Sequence, residues 1–236
     1  PSAISSMVDP ERISGPLPAC AARGGASGGQ VFYNGAGMKR IIFLFLLLLA
    51  PASGFAQSAE DYLAQANQMI GMYQWKEALA LLDQAIQKHP GSTELRLRQA
   101  YLLVRVGASG DADRVLRPLL AAHPDDSDIL RLLGEARLSL GDYGAAAGFF
   151  RQALARTPNE PILLYNLALT LLLEGRKEDA LKSAAEAVQK GASGAEAHRL
   201  YALLLGLNGR HQESAVQMKA ALAQEPKNAR LLFELS

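Results

Sequence analysis

Residues 127–160 read SDILRLLGEARLSLGDYGAAAGFFRQALARTPNE, and the architecture of the chain can be inferred from them. Its first half carries apolar residues at helical spacing and is closed by Gly141, a residue type that readily adopts the left-handed conformation at helix ends. Its second half carries another helical run and is closed by Pro158, because proline cannot continue a helix. The stretch therefore predicts two helices joined by a tight turn.

The residues that punctuate this hairpin recur along the chain every 34 positions. The closing position holds Pro90, Pro124, Pro158 and Pro226, with Ala192 at the remaining place. The turn position holds Tyr73, Gly107, Gly141, Gly175 and Gly209. Two positions hold small residues, namely Ala66, Ala100, Gly134, Ala168 and Ala202, and Ala78, Ala112, Ala146, Ala180 and Ser214. One shared period predicts five units, 59–92, 93–126, 127–160, 161–194 and 195–228, with a partial unit at 229–236.

A single hairpin cannot bury its own apolar face, so the units must stack on one another. The pattern predicts an all-α solenoid of about five helix-turn-helix repeats. Small residues are expected where the two helices of a hairpin cross, and a bulkier side chain there is expected to cost about 1–3 kcal/mol. Pro118 falls inside the second helix of the second unit and is expected to kink or shorten it.

The pattern resembles the tetratricopeptide-repeat (TPR) family over residues 59–228. The third unit carries the signature most fully, and the matching positions are Leu133-Gly134, Gly141-Asp142-Tyr143, Ala146, Phe150, Ala153 and Pro158. The fourth unit matches through Tyr165-Asn166-Leu167-Ala168, Gly175, Ala180 and Ala187, and the first through Tyr62, Trp75, Ala78, Ala85 and Pro90. The resemblance implies a right-handed superhelix whose concave groove is lined by the first helix of every unit.

The same resemblance implies which residues would bind a partner in that groove. They are Tyr101, Arg105, Arg131, Glu135, Tyr165, Leu169, Leu172 and Arg199. The fourth unit is unusually apolar for a row that faces solvent, and Arg131 and Arg199 flank it, which would suit an apolar peptide or helix with acidic edges. In the alternative interpretation, Leu172 and its neighbour Leu173 pack against the adjoining hairpin. The family's clamp for a terminal carboxylate is not matched, since only Asn67 fits it in the first unit.

A different kind of segment precedes the repeats. Met38, Lys39 and Arg40 are followed by ten apolar residues at 41–50, then by Pro51 and by small residues before Gln57. This is the pattern of a secretory signal peptide at 38–56, and ten apolar residues are too few to span a bilayer. We expect translation to start at Met38, residues 1–37 to be untranslated or disordered, and the mature chain to be periplasmic or secreted, with no membrane attachment after cleavage.

Charge and motifs argue against several other functions. The formal net charge is +1, with no basic stripe of the kind that nucleic-acid binding requires. The sequence contains no phosphate-binding loop, nucleophile elbow or metal-ligand spacing, so we expect no enzyme activity, no cofactor and no metal. Asp125-Asp126 are interpreted as a helix cap, and Ser193 to Glu196 have the spacing of a capping box.

Three classes of function stay open at this point. The first is an exported scaffold that holds a protein or peptide in its groove, with assembly of a cell-envelope complex suggested by family analogy alone. The second is a structural module that self-associates through the apolar segment 229–236. The third is a non-catalytic TPR part of a larger protein.

Overall fold

The computed structural model describes residues 57–192 and 194–226, and these residues form ten helices. The helices are α1 (Ala59–Gly71), α2 (Trp75–Lys88), α3 (Thr93–Arg105), α4 (Ser109–Ala122), α5 (Ser127–Ser139), α6 (Tyr143–Arg156), α7 (Pro161–Leu173), α8 (Lys177–Gln189), α9 (Ala195–Leu207) and α10 (His211–Gln224). The first helix of each pair begins where the 34-residue period places it. The predicted all-α solenoid of five helix-turn-helix repeats is confirmed. The predictions for residues 1–56 and 227–236 lie outside the described residues.

The turn between the helices of a pair is left-handed in every unit. Gly107, Gly141, Gly175 and Gly209 have φ angles between 73° and 87°, which glycine adopts without a Cβ clash. In the first unit the place is filled by Tyr73, with φ 59°, and its ring makes an edge contact with Trp75 at a centroid distance of 5.7 Å. The repeat therefore fixes the backbone conformation of the turn even where glycine is absent.

The predicted helix cap at Asp126 is confirmed. Its Oδ1 accepts hydrogen bonds from the backbone N–H groups of Asp128 at 2.9 Å and Ile129 at 3.1 Å, which satisfies two donors that the helix leaves open. The capping box predicted at Ser193 is wrong, because α9 begins after Gly194, which has no side chain to cap it. Ser193 itself lies outside the described residues.

Pro118 does not shorten its helix, and the predicted kink stays a prediction. Helix α4 has 14 residues, as do α2 and α6. Pro118 faces solvent, whereas Leu116 and Leu119 on either side of it are buried. Packing of the buried side chains keeps the helix intact although one backbone hydrogen bond is lost.

The small residues lie where the helices of a pair cross. Ala66, Ala100, Ala168 and Ala202 are fully buried. At Gly134 the approach is so close that a Cβ atom would lie 2.6 Å from Cε1 of Phe150. Phe150 in turn is a fully buried member of the central apolar cluster, together with Leu163 and Leu171. In the core, large side chains therefore fill the space beside the small residues.

The stacking of the pairs is asymmetric. First helices of successive units contact each other directly, α1 with α3, α3 with α5 and α5 with α7. The second helices make no comparable contacts with each other in the described part of the chain. The first helices therefore form the row that the family resemblance places on the concave side.

A partly buried ion pair joins the second and third units. The guanidinium of Arg137 donates to Oδ1 of Asp113 at 2.7 and 3.1 Å, and Nε of Arg117 donates to Oδ2 at 2.7 Å. Burial opposes ionisation of Asp113, but hydrogen bonds and charge from the two arginines outweigh it, and the pKa of Asp113 is lowered.

Replacement of Asp113 with asparagine is expected to reduce the free energy of unfolding at pH 7 by about 1–2 kcal/mol, because its three charge-assisted hydrogen bonds are weakened or lost. The folded-state pKa lies below the unfolded value of about 3.9, so this stabilisation is present above that value and is lost as the pH falls through the folded pKa. Urea unfolding of both proteins at pH 7 and pH 3 checks this. A difference between them that is as large at pH 3 as at pH 7 would contradict the assignment.

Candidate functional site

The concave side carries a cluster of buried polar groups between α5 and α7. Nη1 of Arg131 donates to Oε1 of Glu135 at 2.7 Å, and Nη2 donates to Oδ1 of Asp128 at 3.2 Å. Nδ2 of Asn166, on the neighbouring first helix, approaches the same Glu135 oxygen at 3.5 Å, the long limit of a hydrogen bond. Side chains from two repeats therefore meet at one carboxylate.

The environment of Glu135 disfavours its charge. Burial raises the pKa of Glu135, although Arg131 and Arg105 act in the opposite direction. Burial likewise tends to lower the pKa of Arg131, but the carboxylates of Glu135 and Asp128 raise it overall. A buried ion pair of this kind seldom contributes net stability, because desolvation offsets the attraction. The fold alone therefore does not account for the cluster.

Asn166 is the least satisfied member of the cluster. It is 0% exposed, and its Oδ1 atom has no hydrogen-bond partner among the described residues. Its backbone carbonyl, by contrast, accepts a hydrogen bond from the Thr170 hydroxyl at 2.7 Å. A buried amide oxygen without a donor typically costs about 1–3 kcal/mol, so Asn166 opposes the stability of the fold.

A second polar group lies where α7 faces α9. Arg199 donates to Oε2 of Glu196 through Nη2 at 2.6 Å and Nε at 3.0 Å. Burial raises the pKa of Tyr165 to about 12; Glu196 contributes to the rise and Arg199 opposes it. The Tyr165 hydroxyl therefore stays protonated at neutral pH and is a hydrogen-bond donor as well as an acceptor.

Helix α3 carries a contact between an arginine and an aromatic ring, whereas the arginines of α5 and α9 described above form ion pairs. The guanidinium carbon of Arg98 lies 5.7 Å from the ring centroid of Tyr101, a distance typical of a cation–π contact. Arg105 ends the same helix, close enough to Glu135 to lower the pKa of that carboxyl. The first helices thus present basic and aromatic groups at one end of the row and paired charges further along.

The structure places the eight predicted groove residues on the first helices, but not all of them at an open surface. Tyr101, Arg105 and Tyr165 are partly buried. Arg131, Glu135 and Arg199 are buried and engaged in the ion pairs described above. That these residues bind a partner stays a prediction.

The expectation of an exposed apolar row in the fourth unit is corrected. Leu169 is 1% exposed and Leu172 is 4% exposed, and both belong to the central apolar cluster. Leu173 is partly buried against the same cluster. The interpretation in which Leu172 and Leu173 pack within the array describes this structure, because α7 is apolar around almost its whole circumference.

Two residues were not identified as site residues from the sequence, Arg98 and Asn166. They occupy the same position in their units, where the other units hold Ala64, Leu132 and Leu200. The sequence did contain one signal for them, since a polar residue stands at a repeat position that holds a small or apolar residue in the other units. Its meaning depends on which groups the neighbouring helix supplies, and the sequence does not contain that information.

Other kinds of site find little support in residues 57–192 and 194–226. No group of three or more His, Cys, Asp and Glu side chains in these ranges is placed to hold a metal ion. None of the helices in these ranges combines the length and apolar character needed to cross a membrane. Nδ1 of His198 forms a hydrogen bond with Oε1 of Gln217 at 2.9 Å, so this histidine already has a partner.

Comparison with known families identifies the repeat. Residues 97–161 match one family model described as a tetratricopeptide repeat, and residues 137–204 match a second with the same description. A curated relative, the "Uncharacterized protein y4yS" of Sinorhizobium fredii (strain NBRC 101917 / NGR234), is 33% identical over 96 residues, which cover 39% of this chain. The chain spans about half of that relative's length, 51%.

Solved structures show the same fold. The crystal structure of TTC0263, a thermophilic TPR protein of Thermus thermophilus, superposes with a TM-score of 0.65 at 22% identity, over 75% of this chain and 97% of the other. The crystal structure of YrrB, described as a TPR protein with an unusual peptide-binding site, superposes with a TM-score of 0.56 at 17% identity, over 75% of this chain and 92% of the other. At these identities the likeness concerns the fold alone.

Proposed function

The chain carries tetratricopeptide repeats, and we propose that it is an exported scaffold that binds a segment of a partner protein along the row of first helices. TPR proteins are in general non-catalytic scaffolds for protein–protein interaction. The observation that carries the proposal is the buried polar cluster of Arg131, Glu135 and Asn166, which the fold does not need. Groups that oppose stability in this way are typical of functional surfaces.

The chemistry of the row favours an extended or helical peptide segment as the ligand. Tyr165 is only partly buried and offers a donor. Asn166, Arg131 and Glu135 are buried, and a ligand would gain their acceptor and charged pair when side chains of α5 and α7 move aside. Backbone N–H groups of a peptide are the commonest donors that could reach an amide oxygen in such a groove. YrrB, which shares the fold, is described as having a peptide-binding site, and this makes a peptide ligand the natural first test.

The binding proposal is tested with one variant that removes the acceptor and one that does not. A partner is captured from an envelope extract, identified and purified, and then titrated against the intact protein, Asn166→Leu and Gln152→Ala. Gln152 lies exposed on α6, away from the first helices. The affinity is expected to fall about tenfold in Asn166→Leu, the equivalent of about 1.4 kcal/mol, and to stay unchanged in Gln152→Ala. Equal affinity for all three proteins would overturn the proposal.

Export is the second part of the proposal and is supported by the sequence pattern of residues 38–56. The mature protein is expected to begin at Gln57 and to fractionate with the periplasm or the medium. N-terminal sequencing of the protein purified from its source checks this. A peptide from residues 38–56 in the mature protein, or recovery of the protein only from the cytosol, would contradict export and leave the binding proposal in place.

A further inference from the structure

We propose that the guanidinium of Arg98, held against the ring of Tyr101, is the subsite that binds an acidic side chain of the partner segment. The inference rests on the proposed function, since it names the chemistry of the ligand for the same row of helices. It differs from the sequence-based expectation, which assigned the acidic contacts to Arg131 and Arg199.

Three other arginines of the first helices already have carboxylate partners. Arg131 pairs with Glu135 and Asp128, Arg137 with Asp113, and Arg199 with Glu196. For Arg98, the described part of the chain contains no carboxylate within ion-pairing distance. A guanidinium remains protonated in proteins under all ordinary conditions, so Arg98 keeps a positive charge that the fold leaves unbalanced.

Arg98 is also partly withdrawn from water. It is half-buried, and this burial lowers its pKa, while Tyr101 and Asp128 act more weakly in the opposite direction. A desolvated cation gains more from a new anion than a fully hydrated one does, because less hydration remains to be given up. Arg98 is therefore prepared for an anionic ligand.

The groups beside Arg98, Tyr101 and Asp128, favour a carboxylate over other anions. The contact with Tyr101, at 5.7 Å from the guanidinium carbon to the ring centroid, restrains the planar group. A restrained guanidinium presents paired N–H donors that match the two oxygens of a carboxylate. The exposed carboxylate of Asp128 on α5 lies close enough to influence Arg98. It would repel a doubly charged phosphate more than a singly charged carboxylate, which favours an acidic side chain.

The test uses the full chain and four synthetic peptides, of which the first two form the main comparison. Both peptides have 14 residues in which leucine alternates with glutamate in one and with glutamine in the other, and both are amidated so that no terminal carboxylate is present. A third, glutamine peptide with a free C-terminus and a fourth with phosphoserine in place of glutamate separate the other sources of negative charge. Affinities are measured by fluorescence polarisation at low and at physiological salt.

The variants are Arg98→Met, Arg98→Lys and the matched control Arg96→Gln. Arg96 carries the same charge on the same helix but makes no ring contact among those found in the described chain. The glutamate peptide is expected to bind the intact protein about tenfold or more tightly than the glutamine peptide. That preference is expected to vanish in Arg98→Met, to fall in Arg98→Lys, and to persist in Arg96→Gln.

Three results would overturn the assignment: equal binding of the glutamate and glutamine peptides, equal losses in the Arg98 and Arg96 variants, or a preference for the phosphopeptide or the free C-terminus. The melting temperature is a second readout. Arg98→Met is expected to melt at the same or a higher temperature, because it removes an unbalanced, half-buried charge, whereas a fall would indicate a purely structural arginine. A captured partner that binds Arg98→Met normally but fails to bind Asn166→Leu would refute this inference and leave the proposed function intact.

Discussion

Replacement of Gly134 with alanine is expected to lower the free energy of unfolding by about 1–3 kcal/mol. The new Cβ would lie 2.6 Å from Cε1 and 2.8 Å from Cδ1 and Cζ of Phe150, well inside contact distance. The loss is expected although alanine is favoured over glycine within helices by about 1 kcal/mol. Phe150 is fully buried at the centre of the core, so its ring cannot move aside without disturbing the adjoining pair.

Gly148→Ala is the matched control for this substitution. Gly148 lies within α6, and a Cβ there would meet nothing within 4 Å, so alanine is expected to raise stability by about 0.5–1 kcal/mol. In a Phe150→Leu background, Gly134→Ala is expected to cost measurably less, since the smaller side chain leaves room for the methyl group. Urea unfolding followed by circular dichroism measures the parent and the four variants. A Gly134→Ala variant as stable as Gly148→Ala would show that the helices do not cross as closely as described.

Glu135→Leu is expected to destabilise the protein by about 3 kcal/mol, because it removes the acceptor and leaves Arg131 buried with only Asp128 as a partner. The double variant Arg131→Met/Glu135→Leu is expected to be as stable as the parent or more stable, since replacement of a buried ion pair by apolar side chains is often neutral or stabilising. Thermal or urea unfolding of the single and double variants measures the coupling between the two residues. Equal destabilisation in the single and the double variant would mean that the pair itself holds the fold together.

The Glu135 carboxyl group is also expected to make the stability of the protein depend on pH. Its folded-state pKa is raised by burial above the unfolded value of about 4.3. Between these two values the native state holds the extra proton, so the contribution of Glu135 to stability is complete below the unfolded value and falls as the pH rises through the folded one. The double variant lacks the group and is expected to lose this part of the pH profile. A profile that is identical in both proteins would refute the raised pKa.

The repeat architecture could be predicted from the sequence because its determinants are local. Small residues at a fixed spacing, turn glycines such as Gly141 and closing prolines such as Pro158 each have one dominant physical meaning. Tyr73 shows how strongly the repeat constrains the backbone, since it adopts the turn conformation that glycine holds elsewhere.

The candidate site could be predicted only in part. The helix that carries each residue followed from the repeat, but the surroundings of Arg98, Asn166 and Leu172 depend on neighbouring units. Arg137 of α5, for example, is balanced by Asp113, which α4 of the preceding unit places beside it. The apolar residues of α7 suggested an exposed row, whereas packing against adjoining helices places Leu172 in the core. These facts arise from the stacking of units and are not encoded in one repeat.

Site-specific photo-crosslinking can show whether a partner protein binds along the row of first helices. A photoreactive phenylalanine analogue is placed at Tyr165, on the row of first helices, and separately at Gln152, on the exposed side of α6, and the full chain is irradiated in its source cells. If the partner binds along the first helices, we expect a discrete adduct with a partner protein from position 165 and none from position 152. An adduct from position 152 alone would place the binding surface on the opposite side of the solenoid and contradict the account.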